Sequence, residues 1–270
     1  MAELRLAELV TRGLARRVVG DASVRIAGIK HDSRRCEAGD LFVAIPDGTR
    51  DGAAFVQDAV GKGAVAVLAQ REHAVPVPLV VADDALVSLA AIARDLYDDP
   101  TSQLRAVGIT GTNGKTTVTY LLEAMVNAAA GKPAVIGTVS FRGPFGELPA
   151  THTTPMADDL MRLSRLAVQS GATHLMLEVS SHALAMHRAD GVHFAVAAFT
   201  NLTQDHLDYH GDFDSYARAK LRLFSELSPE HAVINIDDPA SGPFVAAAKG
   251  KLWRCSKHAS DDRIDRGRRN

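Results

Sequence analysis

The residues with the plainest chemistry lie in one run, Gly111-Thr112-Asn113-Gly114-Lys115-Thr116-Thr117. An apolar stretch, Leu104 to Thr110, leads into it, and a helix-like stretch follows. Small residues at a strand-to-helix turn let backbone N–H groups point at phosphate oxygens, and the helix N-terminus adds a favourable dipole. Lys115 would reach the outer phosphates of a nucleotide, and Thr116 would offer its hydroxyl to Mg²⁺. The strict Gly-x-x-x-x-Gly-Lys-Ser/Thr pattern asks for glycine where Ile109 stands. The glycines fall at Gly108 and Gly111 instead, so the run reads as a variant cradle for ATP or GTP. The alternative is a glycine turn before a helix with an unrelated lysine.

Three later segments put polar groups where a buried element would not want them. "LMLEVSSHAL" runs apolar into Glu178, then Ser180, Ser181 and His182. A carboxylate at the end of a parallel strand lies beside a phosphate loop and suits Mg²⁺; an exposed acid on a sheet edge is the other reading. "FAVAAFTNLTQDHLDYHG" repeats the device with Asn201, Asp205, His206, Asp208 and His210. A single histidine there reads more readily as a surface or hydrogen-bonded residue than as a ligand, and the cluster at a strand end shifts that balance towards a site. In "FDSYARAKLRLFSEL", a 100° advance per residue gathers Phe213, Tyr216, Ala217, Leu221, Leu223, Phe224 and Leu227 on one arc. Asp214, Ser215, Arg218, Arg222 and Glu226 fall opposite. Lys220 falls inside the apolar arc, where a lysine must snorkel out, pair with an acid, or lose its charge.

The elements that would position these groups alternate strand and helix, the pattern of a parallel sheet with ligands at the strand C-terminal ends. Residues 1–98 read as a small α/β unit. It has a first helix-like segment over "LRLAELVTRGLARRVV", strands at "DLFVAI", "AVAVLA" and "PLVVAD", and helices at "GAAFVQDAVGKG" and "ALVSLAAIARDLY". Asp98 to Gln103 reads as a linker. Residues 104–258 read as an incomplete nucleotide-binding domain. Its strands are "LRAVGIT", "PAVIG", "THLMLEVS", "FAVAAFTNL" and "HAVINI", and its first helix runs from Lys115 to about Ala130 with Val118, Leu121, Leu122, Met125, Val126 and Ala129 as its apolar face. Residues 259–270 read as a disordered tail, because its "DDRIDRGRRN" stretch has one apolar residue and four arginines.

Composition narrows the class. Of the 270 residues 46% are hydrophobic and 23% charged, and the net charge is −2, which does not favour a nucleic-acid or anionic-membrane binder. No uncharged apolar run approaches the roughly 18 residues that span a bilayer. Two cysteines, Cys36 and Cys255, lie outside any Cys-x-x-Cys spacing, which points to a reducing, cytoplasmic setting. The oligomeric state is left open.

Taken together, "DSRRCEAGDLFVAI", "GTNGKTT", "THTTP", "EVSSHAL", "FTNLTQDHLDYHG", "YARAKLRLF" and "INIDDP" resemble the Mur ligases of peptidoglycan synthesis, in family order from about Ile29 to Pro239. "GTNGKT" alone would also fit folylpolyglutamate synthases. "DSR…GDLFVA" together with "EVSSHAL" points within the family to the ligases that add the third residue.

The resemblance implies an N-terminal substrate domain, a central ATPase domain of P-loop type, and a C-terminal domain that these residues do not include. It implies that Gly111, Thr112, Asn113, Gly114, Lys115, Thr116 and Thr117 cradle ATP. Thr116, Glu178 and His206 would be Mg²⁺ ligands. Lys220 would be carbamylated by CO₂ to bind a second Mg²⁺. Lys115, Lys220 and His206 would be the catalytic set. Asn235 would approach the nucleotide base, Ser33 the uridine nucleotide, and Thr153, Thr154, Ser180 and Arg188 the muramoyl-dipeptide. His152 and Met186 depart from the family pattern, where asparagine and glutamine are common. The implied reaction joins meso-diaminopimelate or L-lysine to a UDP-muramoyl-dipeptide through an acyl phosphate, with these residues alone expected to be inactive. A non-catalytic module that binds the same ligands, and an unrelated P-loop phosphotransferase, are the competing readings.

Overall fold

The computed structural model describes residues 3–46 and 52–258. The chain divides into two compact units. The first holds residues 1–100 together with Met156–Arg162, and the second holds Thr101–Pro155 and the residues from Leu163 onward. Residues 156–162 thus group with the first unit, whereas the sequence reading placed all of 104–258 in one domain. The tail expected over 259–270 lies outside the described residues.

In the first unit the order is β1 (Leu4–Arg5), α1 (Leu6–Thr11), β2 (Arg17–Val19), β3 (Arg25–Ile26), β4 (Gly28–Lys30), β5 (Asp40–Val43), α2 (Val56–Gly61), β6 (Ala66–Ala69), β7 (Leu79–Val81) and α3 (Ala85–Leu96). Strands β2-β7-β6-β5-β4 form one sheet, parallel except for the β2–β7 pair, while β1 and β3 pair separately. Strands β5, β6 and β7 are buried along their whole length, which explains their unbroken apolar runs. The first helix is shorter than its charged sequence suggests. It stops at Thr11, and Arg17–Val19 turn into an edge strand instead of continuing it. Asp84 starts α3 by accepting hydrogen bonds from the Leu86 and Val87 amides at 2.8 and 3.1 Å.

The second unit is built on eight strands: β8 (Arg105–Thr110), β9 (Pro133–Ile136), β10 (Ser140–Gly143), β11 (Gly146–Pro149), β12 (His174–Glu178), β13 (Phe194–Phe199), β14 (His231–Asn235) and β15 (Lys251–Cys255). Their order is β11-β10-β9-β12-β8-β13-β14-β15. The run from β9 to β15 is parallel, and an antiparallel hairpin, β10–β11, extends one edge. Neither the hairpin nor β15 was expected from sequence. The helices are α4 (Lys115–Ala128), α5 (Ala157–Gln169), α6 (Ser181–Ala185), α7 (Leu207–His210), α8 (Phe213–Ser225) and α9 (Ser241–Ala247).

Two helix faces differ from expectation. On α4 the row Val118, Leu122 and Val126 is half-buried, but Leu121 and Met125, one row over, are 55% and 63% exposed. The packed face of α4 is the stripe of Val118, Thr119, Leu122 and Val126, and Leu121 and Met125 lie beyond its edge. On α8 the buried residues are Tyr216, Ala219, Lys220, Leu223 and Phe224; Phe213 is exposed just after the Asp212 cap, and Ala217 and Leu221 are half-buried. Lys220 thus sits inside the packed face, as the arc required.

Because β12, β8, β13 and β14 are parallel neighbours, the loops after Thr110, Glu178, Phe199 and Asn235 all leave from one edge of the sheet. Strand β8 is flanked by β12 on one side and β13 on the other, the arrangement that opens a crevice at the strand ends.

Candidate active site

The loop between β8 and α4 carries two strained positions that glycine fills. Gly111 has φ +141° and Gly114 has φ +88°. A Cβ at Gly111 would fall 1.9 Å from Thr200 Oγ1, so the approach of the two loops requires glycine there. Around this loop, Thr112, Asn113, Gly114, Lys115, Thr116, Thr117, Thr138, Thr153, Glu178, Ser180 and His206 line one open cavity. Eight of these are residues that the sequence singled out for nucleotide or metal, and Thr153 and Ser180 were singled out for the dipeptide. Thr138 was not foreseen.

Lys115 Nζ donates to the Gly111 and Thr112 carbonyls, both at 2.9 Å. Lys220 Nζ donates to the same Gly111 carbonyl at 2.9 Å, from a side chain only 1% exposed. Burial, and then the charge of Lys115, lower the Lys220 pKa to about 7. Burial also lowers the pKa of Lys115, against the pull of Glu178 and Asp205. The Tyr216 ring lies 4.7 Å from Lys220 Nζ, and its hydroxyl is 2.9 Å from Thr112 Oγ1, so one buried aromatic touches both the loop and the lysine.

Glu178 ends β12 and is 1% exposed. Its Oε2 accepts from Thr116 Oγ1 at 2.9 Å and from Thr138 Oγ1 at 3.0 Å, and its Oε1 accepts from the Thr138 amide at 3.2 Å. A Cβ at Gly137 would lie 2.2 Å from Oε1, so the preceding turn leaves room for the carboxylate. The Thr116 and Glu178 oxygens have the separation of adjacent ligands in an octahedral Mg²⁺ shell with bonds of 2.0–2.1 Å, about 2.9 Å. A hydroxyl, a buried carboxylate and an imidazole make a mainly hard donor set, so the residues fit that ion.

His206 lines the cavity in a left-handed conformation, φ +51°, just ahead of α7. Its ring packs edge-on against His182 at 4.8 Å, and His182 packs on Tyr209 at 4.1 Å. Burial, and then neighbouring His206, lower the pKa of His182. His210 Nε2 lies 3.0 Å from Ser181 Oγ.

On the substrate side, Thr154 Oγ1 donates to the Glu178 carbonyl at 2.7 Å and accepts from the Ser180 amide at 3.1 Å, while Ser180 Oγ caps α6 through the Ala183 amide. Arg188 Nη1 donates to the Thr154 carbonyl at 3.0 Å and Nη2 to Met186 Sδ at 3.0 Å; its buried Nε–H has no partner. The thioether at Met186 is therefore the hydrogen-bond acceptor where the family pattern has an amide. Ser33 belongs to the first unit, where it lines a separate cavity with His31, Asp32, Arg34, Phe42, Phe55 and Asp58. Asn235 does not line the loop cavity: its Nδ2 donates to the Thr200 carbonyl at 2.7 Å.

Arg222 was placed on the solvent face of α8. Instead it reaches α6 and the turn after it, donating to the Leu184 carbonyl and to Asp190 at 3.1 Å, with Glu226 at 2.7 Å on its other side. Asp190 in turn holds His187 Nδ1 at 2.5 Å. The pull of a helical arc towards solvent is outweighed here by acceptors more than 30 residues away in sequence.

A phosphate-type loop, a buried carboxylate at the adjacent strand end and a buried lysine behind the loop define a nucleotide-using α/β domain. Residues 109–268 match the Mur ligase middle domain, and residues 25–113 match the Mur ligase family catalytic domain. The chain belongs to the Mur ligase family. Among relatives, it is 41% identical over 251 residues to the UDP-N-acetylmuramoyl-L-alanyl-D-glutamate–2,6-diaminopimelate ligase of Caldanaerobacter subterraneus subsp. tengcongensis, covering 92% of this chain and 52% of that one. It is 45% identical over 231 residues to the ligase of the same name from Geobacter metallireducens, covering 82% and 45%. A solved structure with that name superposes with a TM-score of 0.82 at 28% identity, over 98% of this chain and 54% of the other. The chain spans about half the length of these relatives.

Proposed function

We propose that these residues form the nucleotide and sugar-peptide binding portion of an ATP-dependent ligase. The ligase would add a diamino acid, meso-diaminopimelate or L-lysine, to UDP-N-acetylmuramoyl-L-alanyl-D-glutamate in the cytoplasm. The observation that carries this reading is that Lys115 and Lys220 converge on the Gly111 carbonyl at one end of the loop while Thr116 meets Glu178 at the other. The names of the relatives supply the substrate class.

In the proposed reaction the γ-carboxylate of the D-glutamate attacks the γ-phosphorus of ATP, and the bond to ADP breaks to leave an acyl phosphate. The diamino acid's amine then attacks the acyl carbon, phosphate departs, and the amine gives up a proton. Backbone N–H groups of Gly111–Thr117 would orient the triphosphate, and the Lys115 ammonium would offset its repulsion of the incoming carboxylate. Thr116, Glu178 and His206 would hold one Mg²⁺, and Lys220, carbamylated, a second; when bound, these ions supply further charge neutralisation. The neutral amine that CO₂ requires is favoured by the burial of Lys220. Arg188, with an unpartnered buried N–H, would receive a carboxylate of the dipeptide, with Thr153 and Ser180 beside it in the cavity and Thr154 shaping the segment. Ser33 would contact the uridine nucleotide from the first unit's cavity. The functional domains proposed are residues 1–98 for that nucleotide and 104–258 for ATP.

Because the matched stretches cover about half of each relative, these 270 residues taken alone are expected to bind ligands without turnover. The test is mass spectrometry of mixtures containing ATP, Mg²⁺, the UDP-muramoyl-dipeptide and each diamino acid. The chain alone should give no tripeptide, and the chain fused to the C-terminal half of the Geobacter metallireducens relative should give it. Failure of that folded fusion with both amino acids would refute the ligase reading.

A further inference from the structure

The loop that leaves β13 grips the phosphate-type loop at every position from 110 to 113 except the glycine. The Thr200 amide donates to the Thr110 carbonyl at 3.0 Å, and the Thr112 amide donates to the Asn201 carbonyl at 2.9 Å. Asn201 takes Asn113 at both backbone groups: its Oδ1 accepts from the Asn113 amide and its Nδ2 donates to the Asn113 carbonyl, each at 3.0 Å. Thr200 Oγ1 adds a bond to the same carbonyl at 2.7 Å. The β13 exit is itself held from the far side. Asn235 Nδ2 donates to the Thr200 carbonyl at 2.7 Å, and Asp238 Oδ2 accepts from the Leu202 amide at 3.0 Å. Asn235 is fixed in its turn by the Asp237 amide, which donates to its Oδ1 at 3.1 Å.

We infer that Asn235 is a positioning residue for the phosphate-type loop, acting through Thr200 and Asn201 on the Asn113 peptide, and that it makes no contact with a nucleotide base. Its carboxamide is engaged at both ends, by the Thr200 carbonyl and the Asp237 amide. It also lies outside the cavity that the loop lines. The consequence is a defined pattern of selectivity. Loosening a brace on the phosphate cradle weakens every ligand that presents a triphosphate, whatever base it carries. The inference rests on the reading that Gly111–Thr117 receive a triphosphate, but the brace itself can be observed without any ligand.

The experiment compares the 270-residue chain with its Asn235→Ala, Asn235→Asp and Asn201→Ala variants, each first checked for a native thermal transition. Asn235→Asp keeps the acceptor for the Asp237 amide but replaces the donor to Thr200 with a charged acceptor, so it breaks that bond and sets two oxygens against each other. Calorimetry with ATP, GTP and inorganic tripolyphosphate, all with Mg²⁺, should show each Asn235 variant losing one common factor for all three ligands, about two- to tenfold for the lost hydrogen bond in Asn235→Ala and more in Asn235→Asp. Amide hydrogen exchange by NMR, without ligand, should show the Asn113 amide exchanging faster in both Asn235 variants and fastest in Asn201→Ala. A loss confined to ATP, with tripolyphosphate binding and Asn113 exchange unchanged, would overturn the inference in favour of a base contact. Unchanged binding and exchange would also overturn it. If the parent chain binds none of the three ligands, the cradle reading fails, and the exchange measurement alone still decides the brace.

Discussion

Lys115 and Lys220 donate to one and the same acceptor, the Gly111 carbonyl, at 2.9 Å each, although 105 positions separate them in sequence. Burial, and after it the charge of Lys115 beside the shared oxygen, lower the Lys220 pKa to about 7. The phosphate-type loop and the helix that carries Lys220 are thereby tied at the Gly111 carbonyl, as they are again through Thr112 and Tyr216, and a triphosphate there would bring compensating negative charge.

The first prediction concerns stability against pH. The folded value for Lys220 is about 7, and that of an unfolded lysine is about 10.4, so between these the unfolded chain holds the extra proton. Stability should therefore rise with pH from about 7 to about 10 through this residue, with the full cost of charging it present below that window. Lys220→Met should raise urea stability at pH 7 by on the order of 1–3 kcal/mol and flatten the rise. Denaturation series at pH 6, 7, 8 and 9 check both; a destabilised Met variant with an unchanged slope would count against the buried-charge account.

Arg222 should matter more than a helix-surface arginine. Arg222→Gln leaves Asp190 with His187 as its remaining side-chain partner and leaves the Leu184 carbonyl with backbone amide donors, that of His187 among them. A loss of about 2 kcal/mol is expected, as for a half-buried charged group deprived of its partner. Equilibrium unfolding measures it, and a change within about 0.5 kcal/mol would mean that the contacts carry no weight.

Inside the first unit, His31 Nδ1 lies 2.8 Å from both oxygens of the buried Asp158. Burial works to lower the His31 pKa, but the hydrogen bond and charge of Asp158 outweigh it and leave the pKa raised. A raised value means the pair's contribution is complete below the unfolded histidine pKa, about 6.5, and is lost as pH rises through the folded one. His31→Asn should cost about 1–2 kcal/mol at pH 6 and clearly less at pH 8. An equal cost at both values would show that the imidazolium charge plays no part.

The parts of the fold legible in sequence are those fixed by short-range pattern. Strands β8, β12 and β13 are continuous apolar runs because both faces are covered, and Lys220 stood out because it broke the arc around Tyr216 and Phe224. The hairpin of β10 and β11 escaped notice because its strands have four residues each and only partial burial. Strand β15, an edge, alternates exposed and half-buried residues with no apolar run. In the site, Lys115, Thr116, Glu178 and His206 were legible from position relative to strand ends. Thr138, Thr200 and Tyr216 were not, because their roles come from partners 40 to 104 residues distant. The same holds for the double hydrogen bond of Asn201 to Asn113, across 88 positions.

The central claim is that a triphosphate and a divalent cation meet at Gly111–Thr117 under the Glu178 carboxylate. Its most direct test is ATP binding to this chain by calorimetry, with Mg²⁺ and with EDTA, for the parent and for Glu178→Gln. The account predicts that Mg²⁺ tightens ATP binding in the parent by at least about tenfold, that is about 1.4 kcal/mol, and that Glu178→Gln removes this gain while keeping the metal-free affinity. A Mg²⁺ gain that survives in Glu178→Gln, or a parent chain that binds no ATP, would contradict it.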